Sequence, residues 1–296
     1  MKKPNFFIIG APKCGTTSLA AWLADHPDIF MSPVKEPHFF NTDHQRYFNS
    51  LDGYERLFDQ ATDRHSAVGE ASVWYLYSIE AVSNILAYNA DAKFIVMLRN
   101  PVDMAPSLHE ELFFTGREDV EDFSRAWELQ EQRRHGENLP RMAVEPKLLQ
   151  YGALCSLGSQ LDRLYRQVSR DRVKVVLLED VIGGPREAYL SILEFLELGD
   201  DGRRVFPNLN RAKARRWPGL NQVAWLATKT KKAFGIERGF GLWTRVDQLN
   251  RVERPRSQID PLLASKLRDY FKSDVKKLQG LIGRDLNHWI QARQEA

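Results

Sequence analysis

FFIIGAPKCGTTSLAAWLA, residues 6–24, is the stretch around which the rest of the chain is organised. Phe6, Phe7, Ile8 and Ile9 are aromatic and β-branched, the composition of a short parallel strand buried on both faces. Residues 10–15, GAPKCG, are loop formers. Thr16, Thr17 and Ser18 open a helix whose apolar residues Leu19, Trp22 and Leu23 recur at helical spacing. A strand, a glycine loop and a helix in that order turn backbone N–H groups into one concave space at the positive end of a helix dipole. That is an anion site, and phosphate is its usual occupant.

The Walker A loop places two glycines five positions apart, then Lys, then Ser or Thr. Gly10 and Gly15 keep the spacing, but Thr16 stands in the Lys position and the lysine lies inside the loop, at Lys13. A Walker lysine reaches the β- and γ-phosphates, and the hydroxyl after it holds Mg²⁺. Lys13, two residues before the second glycine, sits instead beside the first phosphate cradled. No convincing acidic strand end presents itself for Mg²⁺. The expectation is a phosphate loop that is not that of an ordinary NTPase. The plainer alternative is a Gly/Pro turn with Thr16 as a helix cap.

Two more strand ends carry chemistry. Residues 67–72, AVGEAS, place Glu70 at the C-terminal end of a short strand, where open α/β sheets bind ligands. A buried carboxylate without a partner has its pKa raised toward working pH, as a general base needs; the alternative is a structural pair with a cation. Residues 93–98, KFIVML, form another buried strand, followed by Arg99, Asn100 and Pro101. Asn100 caps and Pro101 starts the next helix. Ser107 lies about two turns along it, after Pro106, which is expected to kink it. A guanidinium and a hydroxyl suit a phosphate group.

PKCGTTS, residues 12–18, resembles the 5′-phosphosulfate loop of sulfotransferases that use PAPS (3′-phosphoadenosine 5′-phosphosulfate), above all the heparan sulfate branch and its bacterial relatives. The resemblance extends over nearly the whole length and is densest at 6–24, 67–77, 93–108 and 171–198. It implies a P-loop-like α/β fold, a parallel sheet flanked by helices with a helical C-terminal part, as one domain over residues 1–296. It implies that Lys13, Cys14, Gly15, Thr16, Thr17 and Ser18 hold the 5′-phosphosulfate, and that Arg99 and Ser107 hold the 3′-phosphate. GEAS resembles the segment bearing the catalytic Glu, so Glu70 and Lys13 become the catalytic pair. KEPHFF, residues 35–40, resembles the acceptor side of the cleft and implies roles for Lys35 and His38; by composition alone it is an ordinary loop. LNRAKARRWP, residues 209–218, resembles a later nucleotide-binding loop, implying Lys213 and Arg215, although Ala214 stands near the place of the family's glycine. Glu179 and Asp180, Mg²⁺ ligands if this were a kinase, are structural in the resembling family. Tyr151 has the place of an aromatic near the nucleotide.

The implied reaction is sulfuryl transfer from PAPS to an acceptor hydroxyl or amine of a small molecule or glycan, leaving adenosine 3′,5′-bisphosphate and needing no metal. The competing readings are a P-loop kinase and a nucleotide-binding module without chemistry. Composition agrees with a sizeable core, with 43% hydrophobic residues in 296. A net charge of +3 from 42 basic and 39 acidic residues implies no general polyanion binder. The basic run at 209–218 alone, without a recognised module, makes nucleic acid the weaker partner. Two cysteines, Cys14 and Cys155, imply neither a disulfide framework nor a metal site. Cys14, beside a helix N-terminus, occupies a position that lowers a thiol pKa, but no His or Asp neighbours it and it reads as a small filler. No apolar run reaches membrane-spanning length and no leader pattern opens the chain, so a soluble cytoplasmic protein is expected. Further helices are expected over 78–88, 120–134, 148–168, 185–198, 220–234, 261–282 and 286–290.

Overall fold

The computed structural model describes residues 2–44, 47–141, 145–207 and 259–291, with backbone alone for 213–215 and 251–253. Five strands, β1 Phe6–Gly10, β2 Ile29–Met31, β3 Ala67–Ala71, β4 Lys93–Leu98 and β5 Val173–Leu177, form one sheet in the order β2-β3-β1-β4-β5. Every pairing is parallel. β1 is central, with Phe6 facing Gly69 of β3 and Lys93 of β4 in register. Its four apolar residues have no solvent exposure, and each such side chain contributes about 1.5–3 kcal/mol by leaving water. Phe7 stacks on Phe94 at 6.1 Å and meets the edge of Phe40 at 5.9 Å, tying three parts of the chain to one strand.

Helices alternate with the strands along the chain: α1 Thr16–Ala24, α2 Leu51–Glu55, α3 Ala81–Tyr88, α4 Pro101–Phe114, α5 Phe123–Glu128, α6 Gln130–Arg134, α7 Tyr151–Cys155, α8 Leu157–Tyr165, α9 Leu178–Gly183 and α10 Pro185–Phe195. The long helix Pro261–Ile282 buries Leu263, Leu267, Phe271, Val275 and Leu278, a helical stripe as its sequence predicts. A short antiparallel pair, β6 Lys213–Arg215 and β7 Arg251–Glu253, lies outside the main sheet.

The expected elements appear with shifted ends. α3 begins at Ala81, not 78, because the Ser78 hydroxyl accepts the N–H groups of Glu80 and Ala81 from outside the helix. The helix expected over 120–134 is two pieces, started by the Asp122 carboxylate on the N–H of Arg125. The helix expected over 148–168 is broken at Ser156, whose ψ of 71° leaves the helical region. Asp274 then accepts the N–H groups of Gly158 and Ser159 at 2.7 and 2.8 Å and restarts the chain as α8. α4 runs continuously through Pro106. The helix expected over 220–234 lies outside the described residues.

By internal contacts the chain gathers into two compact units. One comprises Met1–Ala105, Gly152–Asn210 and Pro261–Ala296 and contains the sheet; the other comprises Pro106–Tyr151 and Arg211–Asp260. Within the second, a fully buried Arg133–Glu118 ion pair is bidentate at 2.6 and 2.7 Å, and the Tyr151 hydroxyl donates to the same carboxylate at 2.6 Å. Tyr151 is thereby enclosed in the core of its own unit, and its hydroxyl is engaged there.

Candidate active site

The strand order reverses direction at β1 and β4: the chain leaves β1 toward β2 and β3, then returns to lay β4 on the other side. The crevice beyond such a switch point is where open α/β sheets take their ligands. Here it is occupied by the loop over residues 10–15. The N–H of Ala11 donates to the carbonyl of Met97 at 2.7 Å, anchoring the loop to the end of β4. Gly10 has φ 151°, and a Cβ there would stand 2.9 Å from the Leu76 Cβ. Gly15 has φ 89° and caps α1, and a Cβ on it would stand 2.9 Å from Leu178. Both glycines are thus required by conformation and by close approach. Lys13 adopts φ 64°, a left-handed conformation that costs a non-glycine residue about 1–2 kcal/mol. Thr16 and Thr17 precede the first bonds of α1, which run from the N–H groups of Ser18 and Leu19 to the Gly15 carbonyl at 3.1 and 3.2 Å. N–H groups at a helix start lie ahead of the intrahelical ladder, and the loop and helix end suit an anion. Thr16 and Ser18 are buried beside it; Gly15, not Thr16, is the cap residue.

Arg99 follows β4, is only 8% exposed, and its Nη1 donates to the Lys13 carbonyl at 3.2 Å. The sheet therefore brings together two residues that are 86 positions apart: a loop lysine and a buried guanidinium at the same switch point. Ser107 is buried on α4 and belongs to the second unit. Lys213 and Arg215 fall on β6, where only backbone is described, and the remainder of 209–218 lies outside the described residues. Cys14 differs from one expectation. Its thiol is fully buried and points at the Pro12 carbonyl, 3.4 Å, and the Met104 sulfur, 3.9 Å. Burial pushes it up to about 12, against the opposing charge of Arg99, so the helix N-terminus does not activate it. It is the filler its surroundings suggest.

Glu70 sits at the end of β3 with no solvent exposure. It has partners, contrary to expectation, and they are hydroxyls. Tyr54 and Tyr75 donate to Oε1 at 3.0 and 2.9 Å, and Ser72 donates to Oε2 at 2.8 Å. Among the described residues no cation pairs with it. Burial raises its pKa to about 7, with the three hydroxyl bonds pulling the other way. Burial and the Glu70 charge keep both tyrosines firmly protonated.

The segment at 35–40 lies against the same strand end. The Glu36 N–H donates to the Ala71 carbonyl at 2.9 Å. The His38 N–H donates to Ser72 Oγ at 3.2 Å, and the N–H groups of Phe39 and Phe40 donate to the Tyr75 hydroxyl at 2.9 and 3.3 Å. Glu36 and His38 both have left-handed backbone, φ 62° and 48°. Lys35 forms an ion pair with Glu36, whose other oxygen is 3.2 Å from His38 Nε2. Burial disfavours the ionised Glu36, yet the His38 hydrogen bond and the Lys35 charge outweigh it and hold the carboxyl near 2. Val34, Lys35, Glu36, Tyr47 and Phe48 line a groove, and Tyr47 stacks on the His38 ring at 5.8 Å. His38 is itself buried. Glu36 was not singled out in the sequence, although its two neighbours on either side of Pro37 were. The available signal was an acid between a lysine and a proline, but a left-handed backbone at Glu36 leaves no mark in composition.

Glu179 and Asp180 are structural. Glu179 accepts from the Trp289 indole at 2.9 Å and faces His288, and Asp180 is paired with Arg284.

A family model described as the sulfotransferase domain matches residues 3–279. A membrane-associated sulfotransferase of Dictyostelium discoideum, kil1, is 34% identical over 106 residues, 35% of this chain and 22% of that protein. Human heparan sulfate glucosamine 3-O-sulfotransferase 6 is 36% identical over 104 residues, 35% of this chain and 29% of that protein. Mouse carbohydrate sulfotransferase 15 is 31% identical over 143 residues, 34% of this chain and 26% of that protein. The matched stretches thus span less than a third of each of these relatives. A crystal structure of a sulfotransferase from Alicyclobacillus acidocaldarius superposes with a TM-score of 0.73 and 30% identity, covering 98% of this chain and all of that one. A sulfotransferase domain from the curacin biosynthetic pathway shares the fold alone, at a TM-score of 0.52 and 15% identity. With the family model matched along nearly its whole length, over a glycine loop that lacks the Walker lysine, the chain belongs to the sulfotransferase domain family.

Proposed function

We propose that this PAPS-dependent sulfotransferase, one domain over residues 1–296, moves the sulfuryl group of PAPS to an acceptor hydroxyl or amine. One observation carries the reading: Arg99 and the Lys13 loop meet at the sheet's switch point. There the loop N–H groups, with Lys13, Thr16, Thr17 and Ser18, suit a 5′-phosphosulfate, and Arg99 suits the 3′-phosphate; Ser107 is assigned to the 3′-phosphate by resemblance alone. Lys213 and Arg215 are assigned to the closing loop on the same ground. In the transfer a bond forms between the acceptor atom and sulfur as the bridging bond to the 5′-phosphate breaks. Lys13 neutralises charge on the departing oxygen, and the acceptor proton passes to a carboxylate. Adenosine 3′,5′-bisphosphate is left.

Two carboxylates compete for that proton. Glu70, the one expected from the sequence, has the basicity, with a pKa raised to about 7. Access favours the second reading, Glu36. Glu70 is enclosed, and an acceptor must displace one of three hydroxyls to reach it. Glu36 lines the groove and is held by Lys35 and His38. Glu36→Gln is expected to lower turnover by about 100-fold or more, with adenosine 3′,5′-bisphosphate binding unchanged. Full turnover in that variant returns the base to Glu70.

The test of the whole reading is calorimetric titration with adenosine 3′,5′-bisphosphate, AMP and ATP without added metal. Binding that requires the 3′-phosphate and weakens about 10- to 100-fold in Arg99→Ala supports it; a preference for ATP with Mg²⁺ overturns it in favour of a kinase. Labelled PAPS offered with partially desulfated heparin, 2-naphthol and a long-chain alcohol then selects the acceptor class. The saccharide comes first because two of the similar proteins are named for carbohydrate acceptors.

A further inference from the structure

The hydrogen bonds around Glu70 all run one way. Three backbone N–H groups, of His38, Phe39 and Phe40, donate to two hydroxyls, Ser72 and Tyr75. Both hydroxyls donate onward to Glu70, one to each oxygen. A hydroxyl has a single proton. With that proton drawn to the carboxylate, its lone pairs are left facing the amides. The segment so held contains two left-handed non-glycine residues around Pro37, Glu36 and His38. Such conformations persist only where the surroundings over-determine them. A further anchor of this stretch, Glu36 N–H to the Ala71 carbonyl, comes from the same strand end; at its far end the Phe40 carbonyl accepts from the Asn84 side-chain amide at 2.8 Å.

We infer that Glu70 is a positioning residue: through Ser72 and Tyr75 it fixes the backbone of residues 38–40, and with it His38, which holds Glu36 at the acceptor groove. The inference rests on the transfer reading with Glu36 at the acceptor, and gives Glu70 a role other than taking the acceptor proton. Tyr54 supplies an internal comparison. Its hydroxyl also donates to Glu70, but no amide of the 38–40 segment is bonded to it. Its ring stacks on Phe39 at 4.6 Å, a contact that phenylalanine keeps.

The test compares Glu70→Gln, Tyr75→Phe, Tyr54→Phe and the Glu70→Gln/Tyr75→Phe double variant by amide hydrogen exchange of residues 34–42, with adenosine 3′,5′-bisphosphate bound. Turnover with the acceptor selected from the three compounds above is measured alongside. Exchange in Glu70→Gln and Tyr75→Phe is expected to rise about 10- to 100-fold, and in Tyr54→Phe at least fivefold less than in Tyr75→Phe. kcat falls in step with exchange while nucleotide affinity holds, and the double variant is no worse than about twofold below either single one, as for residues acting through one network. Wild-type exchange at 34–42 in Tyr75→Phe, together with loss of transfer in Glu70→Gln alone, overturns the inference and makes Glu70 act on the acceptor directly. Full turnover in Glu36→Gln sinks the Glu36 reading, returns the base to Glu70 and overturns the purely positioning role, while a rise in exchange in Glu70→Gln and Tyr75→Phe then still shows that Glu70 holds the 38–40 backbone.

Discussion

At the scale of single residues, Glu70 ties stability to pH. Its folded pKa, raised by burial from 4.5 to about 7, means that the folded protein holds this proton more tightly than the unfolded chain. The stability it contributes is fully present below about pH 4.5 and is lost as pH rises through about 7, to the extent of roughly 3 kcal/mol. Denaturant unfolding of wild type and Glu70→Gln at pH 4.5 and pH 8 checks this: the difference between them is expected to shift by that amount, and a constant difference refutes it. Cys14 and Cys155 are both fully buried with raised pKa values. Neither thiol is expected to react with a disulfide reagent at pH 8 until denaturant is added. Fast labelling of one thiol in the native protein contradicts the packing described. The glycines, Lys13 and Arg99 were legible in the sequence because each lies next to a strand that announces itself. The hydroxyl partners of Glu70 were not, since Tyr54 lies 16 residues away and is brought in by packing, not by spacing.

At the scale of elements, strands were read more accurately than helix ends. FFII and KFIVML are near-continuous apolar runs bounded by polar loops, and the sheet keeps them with ends moved by one residue at most. Helix ends depend on side chains that come from elsewhere. α8 starts where it does because Asp274, 116 residues on, caps Gly158. A Cβ at Gly158 would stand 2.3 Å from the Asp274 carbonyl oxygen. Gly158→Ala is therefore expected to destabilise the protein by about 1–3 kcal/mol through overpacking against backbone. Asp274→Ala is expected to cost about 0.5–2 kcal/mol as a lost cap. Denaturant midpoints measure both, and an unchanged midpoint in Gly158→Ala rules out the close approach.

At the scale of the whole molecule, the second unit encloses a fully buried charge pair, Arg133 and Glu118. Arg133→Met leaves Glu118 buried without its guanidinium, at an expected cost of about 3–5 kcal/mol. Adding Glu118→Gln to it removes the orphaned charge and is expected to recover a good part of that loss in the same unfolding measurement. The central place of β1 has another consequence, for the birth of the protein. Its partners are β3, complete at residue 71, and β4, complete at residue 98. At about 5–20 residues per second on the ribosome, the Phe-Phe-Ile-Ile segment emerges several seconds before either neighbour exists. For that interval the most apolar strand of the sheet has two open edges, and the nascent chain depends on chaperones or on speed of translation to keep it from pairing with another copy of itself.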